Sequence, residues 1–104
     1  MNNQPLQEEM ASDIAQTFKA LADPTRVKIL HLLLYRSYSV GEIAEKLEMN
    51  QSTISHQLKY LKHLHLVKNK REKTKYIYSI DDRHVMNMLE QTIAHIQHTE
   101  GDSK

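Results

Sequence analysis

The 104-residue sequence contains no cysteine. Disulfides, thiolate metal centres and cysteine nucleophiles are therefore excluded. Long apolar stretches are missing as well: apolar runs stop at three residues, as at Leu32 to Leu34, whereas a membrane-spanning helix needs about 20. The segment from Met1 to Met10 has no cationic region followed by an apolar one, so no secretory signal is expected and a soluble cytoplasmic protein is. No internal repeat or low-complexity segment is found. With 39% hydrophobic and 26% charged residues, the chain has the balance of an ordinary globular protein. Its length suits one domain over 1–104 and leaves little room for a multidomain enzyme. Against the missing cysteines stand seven histidines: His31, His56, His63, His65, His84, His95 and His98.

The net charge is only +1, but it is spread unevenly. Between residues 56 and 78 lie Lys59, Lys62, Lys68, Lys70, Arg71, Lys73 and Lys75, opposed by Glu72 alone. A concentrated positive face on a nearly neutral chain suits attraction to a polyanion. Taken alone, the segment could equally be a solvated lysine-rich hairpin.

Leu6, Met10, Ile14, Thr17 or Phe18, and Leu21 recur at helical spacing and predict a helix from about Pro5 to Ala22. Asp23 and Pro24 then form a cap and first-turn pair for a strongly apolar helix ending near Tyr35. Ser39 and Glu42 match a capping box opening a short helix through Leu47. After a brief turn a further helix begins, with Ile54, Leu58, Leu61 and Leu64 on its inner side. Two short helices so closely joined predict a helix-turn-helix over about 39–65. On its outer side Gln51, Ser52, Thr53, Ser55 and His56 can approach base edges and phosphates; capping accounts for one or two of them but not the cluster. Val40 and Lys59 complete the candidate reading face. Leu66 to Arg71 and Thr74 to Ile80 are the only strand-like stretches and predict a two-stranded hairpin over 66–80. This is the wing of a winged helix-turn-helix, with Lys70, Arg71 and Lys73 at a tip that contacts phosphates.

The last predicted helix, 82–98, carries two stripes. Met86, Leu89, Ile93 and Ile96 are expected to face the protomer's own core. His84, Met88, Gln91, His95 and His98 form a heptad seam made largely of histidine, where a helix-pairing seam would use leucine. Asp82 with His84, and His95 with His98, are two half-sites. On one helix the eleven residues between His84 and His95 span about 16 Å, so one copy cannot wrap both pairs around one ion. Two antiparallel copies can, which implies a homodimer with two symmetric inter-subunit sites. Three imidazoles and one carboxylate suit tetrahedral Zn(II) and accept Co(II), and four protein ligands leave no open position for hydrolysis. An acceptor for the other N–H of a ligating imidazole is expected at the end of the recognition helix, around His63 to Leu66. His31 and His63 are expected to be structural. The bland alternative is that the histidines of the last helix bind nothing.

These residues resemble the ArsR/SmtB family of metal-responsive repressors, and within it the CzrA/SmtB-type zinc and cobalt sensors. The similarity runs from Phe18-Lys19-Ala20-Leu21-Ala22-Asp23 and Arg26 through Gln51-Ser52-Thr53-Ile54-Ser55-His56-Gln57-Leu58 to Tyr78-Ser79-Ile80-Asp81-Asp82. Asp82 and His84 with His95 and His98 match the pattern of the subgroup that senses through its last helix. The family's other common site needs cysteines near the helix ending at Leu47, and none exist. The resemblance implies a mainly α fold with a small β-hairpin, dimeric through its N- and C-terminal helices, and no small organic substrate. It implies an apo homodimer bound to an inverted-repeat operator of double-stranded DNA and released by Zn(II) or Co(II), derepressing metal-efflux genes. A Ni(II) or Co(II) sensor recruiting Glu100 or Asp102, and a metal-independent winged-helix protein, are the competing readings. A metallohydrolase is weaker, since no general base beside an open metal position is identifiable.

Overall fold

The computed structural model describes residues 3–102. Five helices and a small sheet follow in the order α1 (Glu8–Ala20), α2 (Pro24–Leu33), β1 (Tyr38–Ser39), α3 (Val40–Leu47), α4 (Gln51–His63), β2 (Val67–Glu72), β3 (Lys75–Ile80) and α5 (Arg83–Asp102). Local chemistry marks most of the boundaries. The Asp23 carboxylate accepts the Arg26 N–H at 3.0 Å with Pro24 in the first turn. The capping box is complete: Ser39 Oγ accepts the Glu42 N–H at 3.1 Å and Glu42 Oε1 accepts the Ser39 N–H at 2.9 Å. Asn50 caps α4 by accepting the Thr53 N–H at 2.8 Å.

α2, α3 and α4 bury Ile29, Leu30, Ile43, Ile54, Leu58 and Leu61 completely. Leu66, Val67 and Tyr78 close this core from the sheet side, and Val85, Met86 and Leu89 bring in the first half of α5. The burial of each such aliphatic side chain contributes roughly 1.5 to 3 kcal/mol before entropy is counted. α1 differs: Ala20 is its only buried residue. Leu6, Met10, Ile14 and Phe18 are exposed, so the apolar stripe read from the sequence finds nothing in its own protomer to cover it. The radius of gyration, 15.8 Å, exceeds the roughly 13 Å of a compact 100-residue domain; the protomer is not a closed globule.

Several expectations need correction. The sheet has three strands rather than two, ordered β1-β3-β2 and antiparallel throughout, with Tyr38 opposite Tyr78 and Ser39 opposite Ile77. A two-residue strand has no period to read, and Ser39 reads only as a cap. Each wing strand starts one residue later than expected and the first ends one later, leaving Lys73 and Thr74 as the turn, while Lys70, Arg71 and Glu72 pair with Ile77, Tyr76 and Lys75. α1 begins three residues later than Pro5, and α2 stops at Leu33, with the Leu34 and Tyr35 N–H groups closing tighter turns onto His31 and Leu32. α5 runs on to Asp102. Ile96 does not enter the core: it is 51% exposed, while Val85, unassigned from the sequence, is buried. His31 is exposed and stands edge-on to Tyr35 with ring centroids 5.3 Å apart; His63 is exposed too.

Candidate nucleic-acid interface and ligand-bearing helix

Three elements enclose a groove of about 680 Å³. Val40, Gly41, Glu42 and Glu45 line it from α3, Gln51, Ser52 and Ser55 from α4, and Thr74, Lys75 and Tyr76 from the wing. It follows from the helix-turn-helix: the turn between α3 and α4 brings both helix starts to one surface, and the α4 side opposite Ile54, Leu58 and Leu61 faces outward. That turn is closed by Glu48 in the left-handed region, φ 55° and ψ 47°, with the Met49 N–H donated to the Ala44 carbonyl at 3.0 Å.

Of the residues expected to read DNA, Val40, Gln51, Ser52 and Ser55 meet in this groove. Thr53 and His56 lie with Ser52 and Gln57 in an adjoining depression. Lys59 is exposed further along α4. Lys70, Arg71 and Lys73 are exposed on the wing but outside the groove, and Arg71 Nε is donated to the Lys73 carbonyl at 3.1 Å. Ser52 is partly engaged already, donating its hydroxyl to Asn50 Oδ1 at 2.9 Å.

Gly41, Lys75 and Tyr76 belong to the groove and went unassigned in the sequence reading. Tyr76 shares a strand face with buried Tyr78, so the period-two alternation that marks Tyr78 as core also aims Tyr76 at the helices, where it is 50% exposed. The groove is electrostatically two-sided, with basic residues on the wing and Glu42 and Glu45 on the α3 wall. The Ser39 N–H donated to Glu42 holds its carboxyl below the usual carboxylate range, and Arg36, 3.4 Å away, adds to the effect.

The four candidate metal ligands fall into two pairs, Asp82 and His84 at the start of α5 and His95 and His98 toward its far end. Asp82 precedes the helix as its cap: Oδ1 accepts the His84 N–H at 2.8 Å and the Val85 N–H at 3.2 Å. His84 is fully exposed, with Nδ1 3.5 Å from Asp82 Oδ1. His95 and His98 are exposed near the far end. Among the described residues no three His, Asp or Glu side chains converge; the two pairs stand about three helical turns apart. The expected acceptor at the end of α4 is in part occupied, because the Leu66 carbonyl accepts the Asp81 N–H at 3.0 Å. That bond extends the β2–β3 pairing by one step and ties the residue before Asp82 to the foot of the wing, three residues past α4.

A helix-turn-helix followed by an antiparallel wing, with a polar helix face and basic strands around one groove, defines a winged-helix DNA-binding protein. Residues 23–69 match the model of the arsR family of bacterial regulatory proteins. The chain is 39% identical over 94 residues to the HTH-type transcriptional regulator NmtR of Mycobacterium tuberculosis, covering 90% of this chain and 78% of that one. The homodimeric winged helix-turn-helix DNA-binding domain of Mb0332 from Mycobacterium bovis superposes with a TM-score of 0.79 at 33% identity, covering 94% of this chain and 95% of that one. The antimony-specific transcriptional repressor AntR gives a TM-score of 0.85 at 27% identity over 97% of this chain and 93% of that one. The chain belongs to the arsR family, the ArsR/SmtB group of helix-turn-helix regulators. It is a DNA-binding regulator of transcription and not an enzyme, and among the described residues no helix is long and apolar enough to cross a membrane.

Proposed function

We propose that this chain is a metal-responsive transcriptional repressor. As a metal-free homodimer it holds an inverted-repeat operator, and it leaves the DNA when Zn(II), or Co(II) in its place, binds α5, so that metal-efflux genes are expressed. The observation that carries this reading is the pair of candidate ligand half-sites, Asp82 with His84 and His95 with His98, at the start and toward the far end of a 20-residue helix, where one copy does not bring them together. The donor set fits: three imidazoles and a carboxylate match tetrahedral Zn(II), and two backbone N–H groups already hold Asp82 in place. Asp82 and His84 of one protomer would hold the ion with His95 and His98 of the partner subunit. Bound there, the ion would supply coordination bonds that lock the two α5 helices together.

Dimerisation is supported by the uncovered stripe of Met10, Ile14 and Phe18 on α1 and by exposed Ile96 on α5, and by the homodimeric state of the related Mb0332 domain. Two protomers then present two α4 helices to successive major grooves, with Lys70, Arg71 and Lys73 on flanking phosphates. The path from α5 to the reading head is short: the Asp81 N–H, two residues before α5, is donated to the carbonyl of Leu66, three residues past α4 at the foot of the wing. Metal and DNA weaken each other's binding by one reciprocal factor, typically about 1 to 3 kcal/mol.

The test is operator binding followed by fluorescence anisotropy with Zn(II), Co(II), Ni(II) and chelator in turn. Zn(II) or Co(II) is expected to release wild-type protein and to leave His95→Ala bound. Full metal affinity and full release in His95→Ala would refute the site. Intense visible bands of the Co(II) complex mark four-coordination; weak bands would favour the six-coordinate Ni(II) type. Sedimentation of Phe18→Asp is expected to show monomers where the wild type shows dimers.

A further inference from the structure

Arg26 makes contacts that its place at the start of α2 does not require. Its Nε donates to the Ala20 carbonyl at 2.9 Å and its Nη2 to the Lys19 carbonyl at 3.2 Å, both in the last turn of α1. Its Nη1 donates to Gln57 Oε1 at 3.2 Å, and its guanidinium carbon stands 4.5 Å from the centroid of the Tyr60 ring; both partners belong to α4. The Arg26 backbone N–H is itself held by Asp23 Oδ2 at 3.0 Å. One side chain, anchored at its base, thus joins the end of α1 to the middle of the recognition helix.

Helix α1 reaches the protomer core through Ala20 alone. Little else holds its direction relative to α4, and last-turn helix carbonyls lack intrahelical donors. A guanidinium suits the task because its donors form a rigid planar fork, so three acceptors and a ring face can be held in one geometry; an ammonium on a flexible stem cannot do this. The fork also orients Gln57. A guanidinium only donates, so Gln57 turns its oxygen to Arg26 and keeps its amide N–H groups for other partners, beside Thr53 and His56 in the depression next to the groove.

We propose that Arg26 is a positioning residue that transmits the pose of α1 to the recognition helix, and so sets the spacing of the two reading heads. The inference rests on the homodimer reading above, because only a dimer in which α1 is part of the interface converts this intramolecular brace into a distance between heads. DNA half-sites lie about 34 to 36 Å apart, so a loosely held head loses register with the second groove.

The absence of cysteine makes a direct measurement possible. Lys62→Cys, at an exposed position of α4, places one spin label per protomer, and electron-electron resonance then reads the distance between heads in the full-length, metal-free protein without DNA. The parent is expected to give one narrow distribution. Arg26→Lys and Arg26→Gln are expected to broaden it and to weaken operator binding by about tenfold, near the effect of losing one hydrogen bond to a charged group. The salt dependence of operator binding should not change. Gln57→Leu removes the hydrogen bond to α4, leaving the Tyr60 contact and the α1 contacts, and should broaden the distribution likewise, which keeps the test decisive if an Arg26 variant misfolds. A distribution as narrow as the parent's in every folded variant overturns the proposal. So does weakened binding with a shallower salt slope and no broadening, since Arg26 is then a phosphate ligand. No inter-label distance in the parent would instead refute the dimer, and this brace with it.

Discussion

The Asp82 carboxylate faces His84 twice: Oδ1 accepts the His84 backbone N–H at 2.8 Å and lies 3.5 Å from the imidazole Nδ1 of the same residue. One side chain therefore caps α5 and stands beside an imidazole, the two groups proposed above as one half-site. The two roles separate chemically. Asparagine caps as well as aspartate but is a poor metal ligand, whereas alanine does neither. Asp82→Asn is expected to keep wild-type stability while losing more metal affinity than the roughly 10- to 100-fold that an outer partner of a ligand is worth. Asp82→Ala should lose a similar affinity and about 1 kcal/mol of stability as well. Zn(II) titration beside urea unfolding of the metal-free protein checks both; equal metal affinity in Asp82→Asn and wild type would remove Asp82 from the ligand set.

The capping box at α3 makes the reading head sensitive to acid. Glu42 titrates below its ordinary value of 4.5 because the charged form accepts the Ser39 N–H. A folded-state value below the unfolded one means that the stabilisation is complete above the unfolded value and is lost as pH falls through the folded one. Glu42→Gln should therefore be less stable than wild type at neutral pH, with the difference shrinking on acidification. Ser39→Ala should cost about 1 kcal/mol at neutral pH. Urea midpoints from neutral to acid pH measure this, and a gap that widens toward acid would contradict the assignment.

The exposed wing lysines are expected to act on affinity and not on sequence choice. Lys70→Ala and Lys73→Ala should each weaken binding to operator and to unrelated duplex alike. Each should also flatten the dependence of log affinity on log salt by about 0.9, the share of one phosphate contact. An unchanged slope would take the wing off the DNA.

Glu48 holds the turn of the helix-turn-helix at φ 55°, a conformation costing a side chain with a Cβ about 1 kcal/mol. Glu48→Gly relieves that cost and adds some unfolded-state entropy, leaving a net gain of about 0.5 kcal/mol. The denaturation midpoint should rise without a change in slope.

What was legible in the sequence was local and periodic. The Asp23 cap, the Ser39 and Glu42 box, and the inner face of α4 depend on neighbours within four residues, so spacing reveals them. The third strand was not legible, because Tyr38 and Ser39 are strand only by pairing with Tyr78 and Ile77, some forty positions away in the chain. Ile96 was misassigned for a related reason: its period matches Met86 and Leu89, but it only lines an open apolar depression with Leu21, Val27 and Leu89 and stays half exposed.

The sequence alone determined the chemistry on offer: no thiolates, a polar recognition helix followed by a basic wing, and a histidine-rich last helix. These follow from residue type and helical period, which need no partner. Tertiary structure decided what meets what. It set Tyr76 and Lys75 beside Gln51 in one groove, joined α1 to Gln57 through Arg26, and left the stripe of α1 without cover. Such relations depend on how elements far apart in the chain pack, and a helix's own periodicity states only which face is apolar, never what will cover it.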